Sequence, residues 1–275
     1  MPDRSVLESL AYVNWTLLFS LAMGSIAMIV ALRRRTDPTT GYLGFVAACA
    51  TVAAGLTALL DGGLPLPVRL AVAAPSPDLD QARRIGLIAF TALLALETVA
   101  LRRGHGHRLG IVAIAAGLAT IAFAALGWES TTLPGWVIGV QLLLLSAVTG
   151  GVLAAMILGH WYLVTPRLGE EHLILAVQLL LAALVVQLMV FIGSVAVSVV
   201  AQAPFGALSG HQTLLVWLVL GVGIVFPIVL TSMALRTAQT RSMESATGLL
   251  YIDTAAVVAG TIVSAALLFG AGIVV

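Results

Sequence analysis

A chain of 275 residues, 60% hydrophobic and only 9% charged, with a mean hydropathy of +1.10, has far more apolar surface than one water-soluble core could hide. Soluble domains carry about 25% charged residues, so the expected solvent is lipid. The net charge of +1 provides no basic surface for nucleic acid, and the single cysteine, Cys49, excludes an intramolecular disulfide and a cysteine-rich metal site.

A membrane-spanning helix needs about 20 mostly apolar residues, and eight such runs follow one another: 10–32, 42–60, 85–101, 109–126, 137–163, 173–199, 214–235 and 249–268. The first is too long for a cleavable signal core and is closed by Arg33-Arg34-Arg35, so it reads as a retained first span. Barrel-type alternation is absent, and backbone groups in hydrocarbon must pair internally, which leaves helices. The predicted fold is therefore an all-α bundle of eight transmembrane helices forming a single transmembrane domain over residues 1–275.

All 13 basic residues are arginines, which suggests GC-rich bacterial coding and hence a multi-pass protein of the cell (inner) membrane. Nine of them (Arg33, Arg34, Arg35, Arg102, Arg103, Arg108, Arg167, Arg236 and Arg241) fall at one end of the alternating spans. Four (Arg4, Arg69, Arg83 and Arg84) fall at the other. Arginine marks the cytoplasmic side, so both termini are expected outside. The longest connection, 61–84, carries Pro65, Pro67, Pro75 and Pro77 and reads as an outer surface loop, with a short interfacial segment around 68–74.

A faint internal echo accompanies these spans. Ala31-Leu32-Arg33, Ala100-Leu101-Arg102 and Ala234-Leu235-Arg236 close spans one, three and seven in the same manner. Aligning Arg33 with Arg236 sets Gly24 opposite Pro227, and any repeat of this kind would be parallel. Paired Gly- or Pro-interrupted segments are a transporter feature; a shared vocabulary of apolar helix ends produces the same pattern without any repeat.

Ionisable residues inside spans are costly and raise a functional question by default. Glu97, five residues before Arg102, lies about 7–8 Å from the helix end at ~1.5 Å per residue, and Asp253 lies at a similar depth in span eight. His160 sits near the same end of span five. If the helices turn these three together they form a protonatable cluster near the inner surface; otherwise each carboxylate pairs privately with an arginine or caps a neighbouring helix. The stretch Gly159-His160-Trp161-Tyr162 and the turn that follows, with Arg167, Glu170, Glu171 and His172, concentrate the polar groups of an otherwise apolar chain. Trp161 and Tyr162 also suit an interfacial aromatic belt. This turn is a candidate to gate an inner opening, to hold a quinone headgroup, or to meet a partner protein.

No metal-ligand spacing is met. Haem is disfavoured because His160 alone among the five histidines lies near a span interior. Pro227 should kink span seven, and its freed carbonyls are expected either to bind a substrate or to be satisfied by Thr231 and Ser232. Gly151, Ala155 and Gly159, and likewise Ala256, Gly260 and Ser264, recur at intervals of four, the small-residue faces through which helices approach closely and through which other membrane subunits could dock. Hydrolase, phosphate-loop and dinucleotide signatures are lacking, and with them any enzyme signature. The leading expectation is proton-coupled or small-solute transport through the bundle, with no cofactor. The alternatives are a membrane subunit of a redox complex, taking a quinone at the 159–172 turn, and a structural or assembly protein.

Overall fold

The computed structural model describes residues 4–104, 108–165, 168–197 and 208–274, with the backbone alone at 4–7 and 197. Among them are eight helices long and apolar enough to cross a membrane. They are α1 (Arg4–Arg35), α2 (Thr40–Asp61), α3 (Pro77–Arg102), α4 (Arg108–Gly127), α5 (Gly135–Val164), α6 (Glu171–Val197), α7 (Thr213–Gln239) and α8 (Met243–Ala271). The architecture is all-α, and eight apolar helices make this a multi-pass membrane protein.

The helices form two rings of four. In the first, α1 packs on α2, α2 on α3, α3 on α4, and α4 returns to α1; α5, α6, α7 and α8 repeat the circuit. Between the rings, α1 lies along α5, α4 touches α5, α8 touches α1, α2 touches α5 and α6 touches α1. Exchanging α1–α4 for α5–α8 maps this whole set of contacts onto itself. The bundle thus has a pseudo-two-fold axis running along it, between α1 and α5. The repeat is parallel, as the sequence echo suggested, but it pairs α1 with α5 and α3 with α7, so the partner of the Gly24 helix is not the Pro227 helix.

The axis is visible in single residues. Gly24 faces Gly150, and a side-chain carbon on either would run into backbone of the other helix. Ser20 faces Ser146 at the same 126-residue separation, their hydroxyls 3.5 Å apart. Equivalent residues meet each other, as on two copies of one helix crossing in parallel, and glycine is required because nothing larger than hydrogen fits. Ser25 Oγ donates to Gly150 O at 3.2 Å, and Tyr42 OH reaches from α2 to Ala154 O at 3.1 Å. Of the small-residue faces read from sequence, the tight crossing on α5 uses Gly150, one position before Gly151. Gly159 packs instead on Thr247 of α8, and Gly260 on Gly223 of α7. These faces are occupied by the chain's own helices.

The connection after α2 departs most from the sequence reading. Helix α3 begins at Pro77, not at residue 85. Ser76 Oγ caps it by accepting Leu79 N–H at 3.4 Å, proline occupies the first turn, and Asp78 and Asp80 sit where the helix dipole favours negative charge. Asp61, the last residue of α2, and Arg83 are both 1% exposed. The segment between the helices is not a free loop. Ala71 N–H donates to Phe269 O (2.9 Å), Ala73 N–H to Trp128 O (3.1 Å) and Tyr12 OH to Pro65 O (2.8 Å). It lies across the end of the bundle that carries the chain termini, over a buried aromatic group of Tyr12, Trp15, Phe19, Trp128 and Phe269.

Candidate functional site

Near the opposite, arginine-rich end, each half of the bundle holds one buried carboxylate. Glu97 of α3 is 1% exposed. It accepts the backbone N–H of Gly110 in the first turn of α4 and lies in the field of Arg33 from α1. A side-chain carbon on Gly110 would come within 3.3 Å of Glu97 Oε1, so the glycine allows this approach. Glu97 Oε2 and one terminal nitrogen of Arg33 have no hydrogen-bond partner in the described structure.

Asp253 of α8 is wholly buried. Its Oδ2 accepts from Thr231 Oγ1 of α7 at 2.6 Å, while Oδ1 has no partner among the described residues. When Ala234-Leu235-Arg236 is aligned with Ala100-Leu101-Arg102, Thr231 takes the place of Glu97. Both halves therefore bond a carboxylate across the seam of their third and fourth helices. The first half places the acid on the third helix and the second places it on the fourth.

Helix α7 changes pitch six residues before Thr231, where Gly223 lies against Gly260 of α8. Val219–Val225 is π-helical, and Phe226 N–H bonds back five residues to Gly221 O. Pro227 follows directly, with no N–H to offer Gly223 O, and the wider turn absorbs the missing bond. The kink expected from Pro227 is thus a helix of altered pitch. Neither hydroxyl expected to satisfy it does so. Thr231 goes to Asp253, and Ser232 Oγ donates to Ile228 O at 2.6 Å.

The structure gives Glu97, Asp253 and His160 separate neighbourhoods. Helix α3 packs on α2 and α4, whereas α8 packs on α1, α5 and α7. His160 is exposed at the end of α5, its Nδ1 3.2 Å from Tyr251 OH of α8. No hydrogen bond joins any two of the three among the described residues.

The turn after α5 is stapled rather than open. Tyr162 OH donates to Gly169 O, Glu170 pairs with Arg241 of the α7–α8 turn, and His172 is buried with Nε2 3.5 Å from Glu171. Arg167 lies outside the described residues. Gly159 rests on Thr247, so the Gly-His-Trp-Tyr stretch meets the start of α8. Between them opens a cleft of about 780 Å³ with Tyr162, Arg241, Glu244 and Tyr251 on its walls. Among the described residues, no group of three or more His, Cys, Asp or Glu side chains is placed to hold a metal ion.

Sequence reading missed the strongest polar group, at the terminal end. Arg83 Nε and Nη2 hold Asp61 at 2.9 and 3.2 Å, Trp15 Nε1 donates to the same carboxylate at 2.7 Å, and Asp80 closes on Arg83 and Arg84 at 2.7 and 2.9 Å. The guanidinium of Arg83 also lies 5.3 Å from the centre of the Trp128 ring. The available signal was Asp80-x-x-Arg83-Arg84 directly after a Ser-Pro helix start, a pattern that places acid and base on one helical face. No family model, curated protein or solved structure matches the chain.

Proposed function

We propose that this protein moves protons, or a small solute coupled to them, across the membrane, with Glu97 and Asp253 as its protonatable groups. One observation carries the reading: Oδ1 of Asp253 is wholly buried with no hydrogen-bond partner among the described residues, on a helix bonded to α7 at Thr231, six residues past the π-helical turn. A carboxylate in hydrocarbon without full pairing is expensive and is retained where it serves a path. Discontinuous helices near mid-membrane are where transporters bind and move. Glu97, with its own unpartnered oxygen, is the counterpart in the other half. His160 is the exposed group at the mouth.

In this reading the arginine-rich end faces the cytoplasm of the cell membrane and both termini lie outside. The terminal end is covered by the 62–76 connection and the Asp61–Arg83 pair. The test is flux in proteoliposomes loaded with a pH-sensitive dye under an imposed gradient. Glu97→Gln and Asp253→Asn are each expected to lower flux at least tenfold while the variants remain folded. Unchanged flux in both would remove the mechanism.

A further inference from the structure

The cleft at the arginine-rich end has a chemistry that proton movement does not use. Its floor is Gly248, above which a side-chain carbon would meet nothing within 4 Å. One wall is Tyr162 and Leu163 of α5, and the other is Tyr251 of α8. Leu163 on that wall is 43% exposed, and the chain neighbours of the two walls, Val164 and Ile252, are 66% and 53% exposed. In a membrane these side chains face acyl chains, so the cleft opens sideways to lipid as well as to the surface. It sits at the depth of Trp161, Tyr162 and Tyr251, where an interfacial aromatic belt belongs.

Two opposite charges line it. Arg241 is engaged by Glu170 through Nε, and its terminal nitrogens have no partner among the described residues. Glu244, three residues on, has an exposed carboxylate with no partner among them either. The first turn of α8 adds backbone N–H groups beside Arg241, a setting that favours a phosphate. A carboxylate within one helical turn of that phosphate suits an ammonium. A lone anion would leave Glu244 opposed, and a lone cation would leave Arg241 opposed. A zwitterion satisfies both.

We propose that this cleft seats the headgroup of a phospholipid with a primary amine, of the phosphoethanolamine type, with its phosphate on Arg241 and its ammonium on Glu244. The acyl chains run along Leu163, Val164 and Ile252. The assignment is independent of transport, because its readout is lipid retention.

The test is native mass spectrometry of the full chain in detergent, titrated with dioleoyl phosphatidylethanolamine, dioleoyl phosphatidylglycerol or free O-phosphoethanolamine. The wild-type protein is expected to retain the ethanolamine lipid roughly fivefold better than the glycerol lipid, the size of one favourable surface charge contact. Glu244→Gln should erase that preference while total retention persists. Gly248→Leu, at an exposed helical position where leucine is the better helix former, should fill the floor and lower retention of both lipids. Equal retention of the two lipids by the wild type overturns the proposal. So does competition by free O-phosphoethanolamine, which would assign the cleft to a soluble solute, or a stoichiometric quinone that co-purifies and is lost in Gly248→Leu.

Discussion

Arg83 grips both carboxylate oxygens of Asp61, at 2.9 and 3.2 Å, in a place where each side chain is 2% exposed. The pair joins the end of α2 to the start of α3 and gives Trp15 of α1 its acceptor. Burying two charges is costly, and removing Arg83 leaves Asp61 with only the more exposed Arg84 at 3.6 Å and the Trp15 N–H. Arg83→Met alone should therefore destabilise the protein by about 3–5 kcal/mol, read as a loss of melting temperature in detergent. Asp61→Leu combined with Arg83→Met should recover much of that loss. If the double variant is as unstable as the sum of the singles, the two residues are not coupled and the network is incidental.

Gly150 and Gly151 are neighbours with opposite expected tolerances. A methyl group on Gly150 runs into the backbone of α1 at Gly24 and Ser25, whereas on Gly151 its nearest atom is Met28 Cε at 3.5 Å, an ordinary contact. Gly150→Ala should cost about 1–3 kcal/mol, the usual penalty of overpacking. Gly151→Ala should hold or raise the melting temperature, since alanine is the better helix former. Equal behaviour of the two variants would move the crossing away from Gly150.

Pro227 separates stability from movement. Pro227→Ala restores the missing N–H and lets α7 run on as an ordinary α-helix. The melting temperature should hold or rise, and proteoliposome flux should fall if the altered pitch is part of the path. Flux at the wild-type level with the π-helical turn gone would show that the break is only an accommodation of proline.

The eight helices were legible because apolar runs of the required length are separated by short polar turns. The start of α3 was not, because Asp78, Asp80, Arg83 and Arg84 interrupt hydropathy while forming a well-capped helix whose charges pair with one another. Depth along a helix could be counted, so Glu97 and Asp253 were found. Rotation about each helix axis could not, and rotation decides which neighbour each acid meets. For the same reason a stripe of small residues announced close packing on α5 without settling that Gly150 takes α1 and Gly159 takes α8. The four-plus-four arrangement left little mark in sequence beyond the matching Ala-Leu-Arg ends of α3 and α7, since lipid asks only that a residue be apolar and tolerates wide drift.

The face-to-face meeting of Gly24 with Gly150 and of Ser20 with Ser146 carries a further consequence. A polypeptide of only four spans, inserted in one direction and associating with a second copy of itself, would already possess this crossing in full. The present chain is laid out as such a homodimer written in tandem. Its two halves differ in where they hold the buried acid: Glu97 stands on the third helix of one, Asp253 on the fourth of the other.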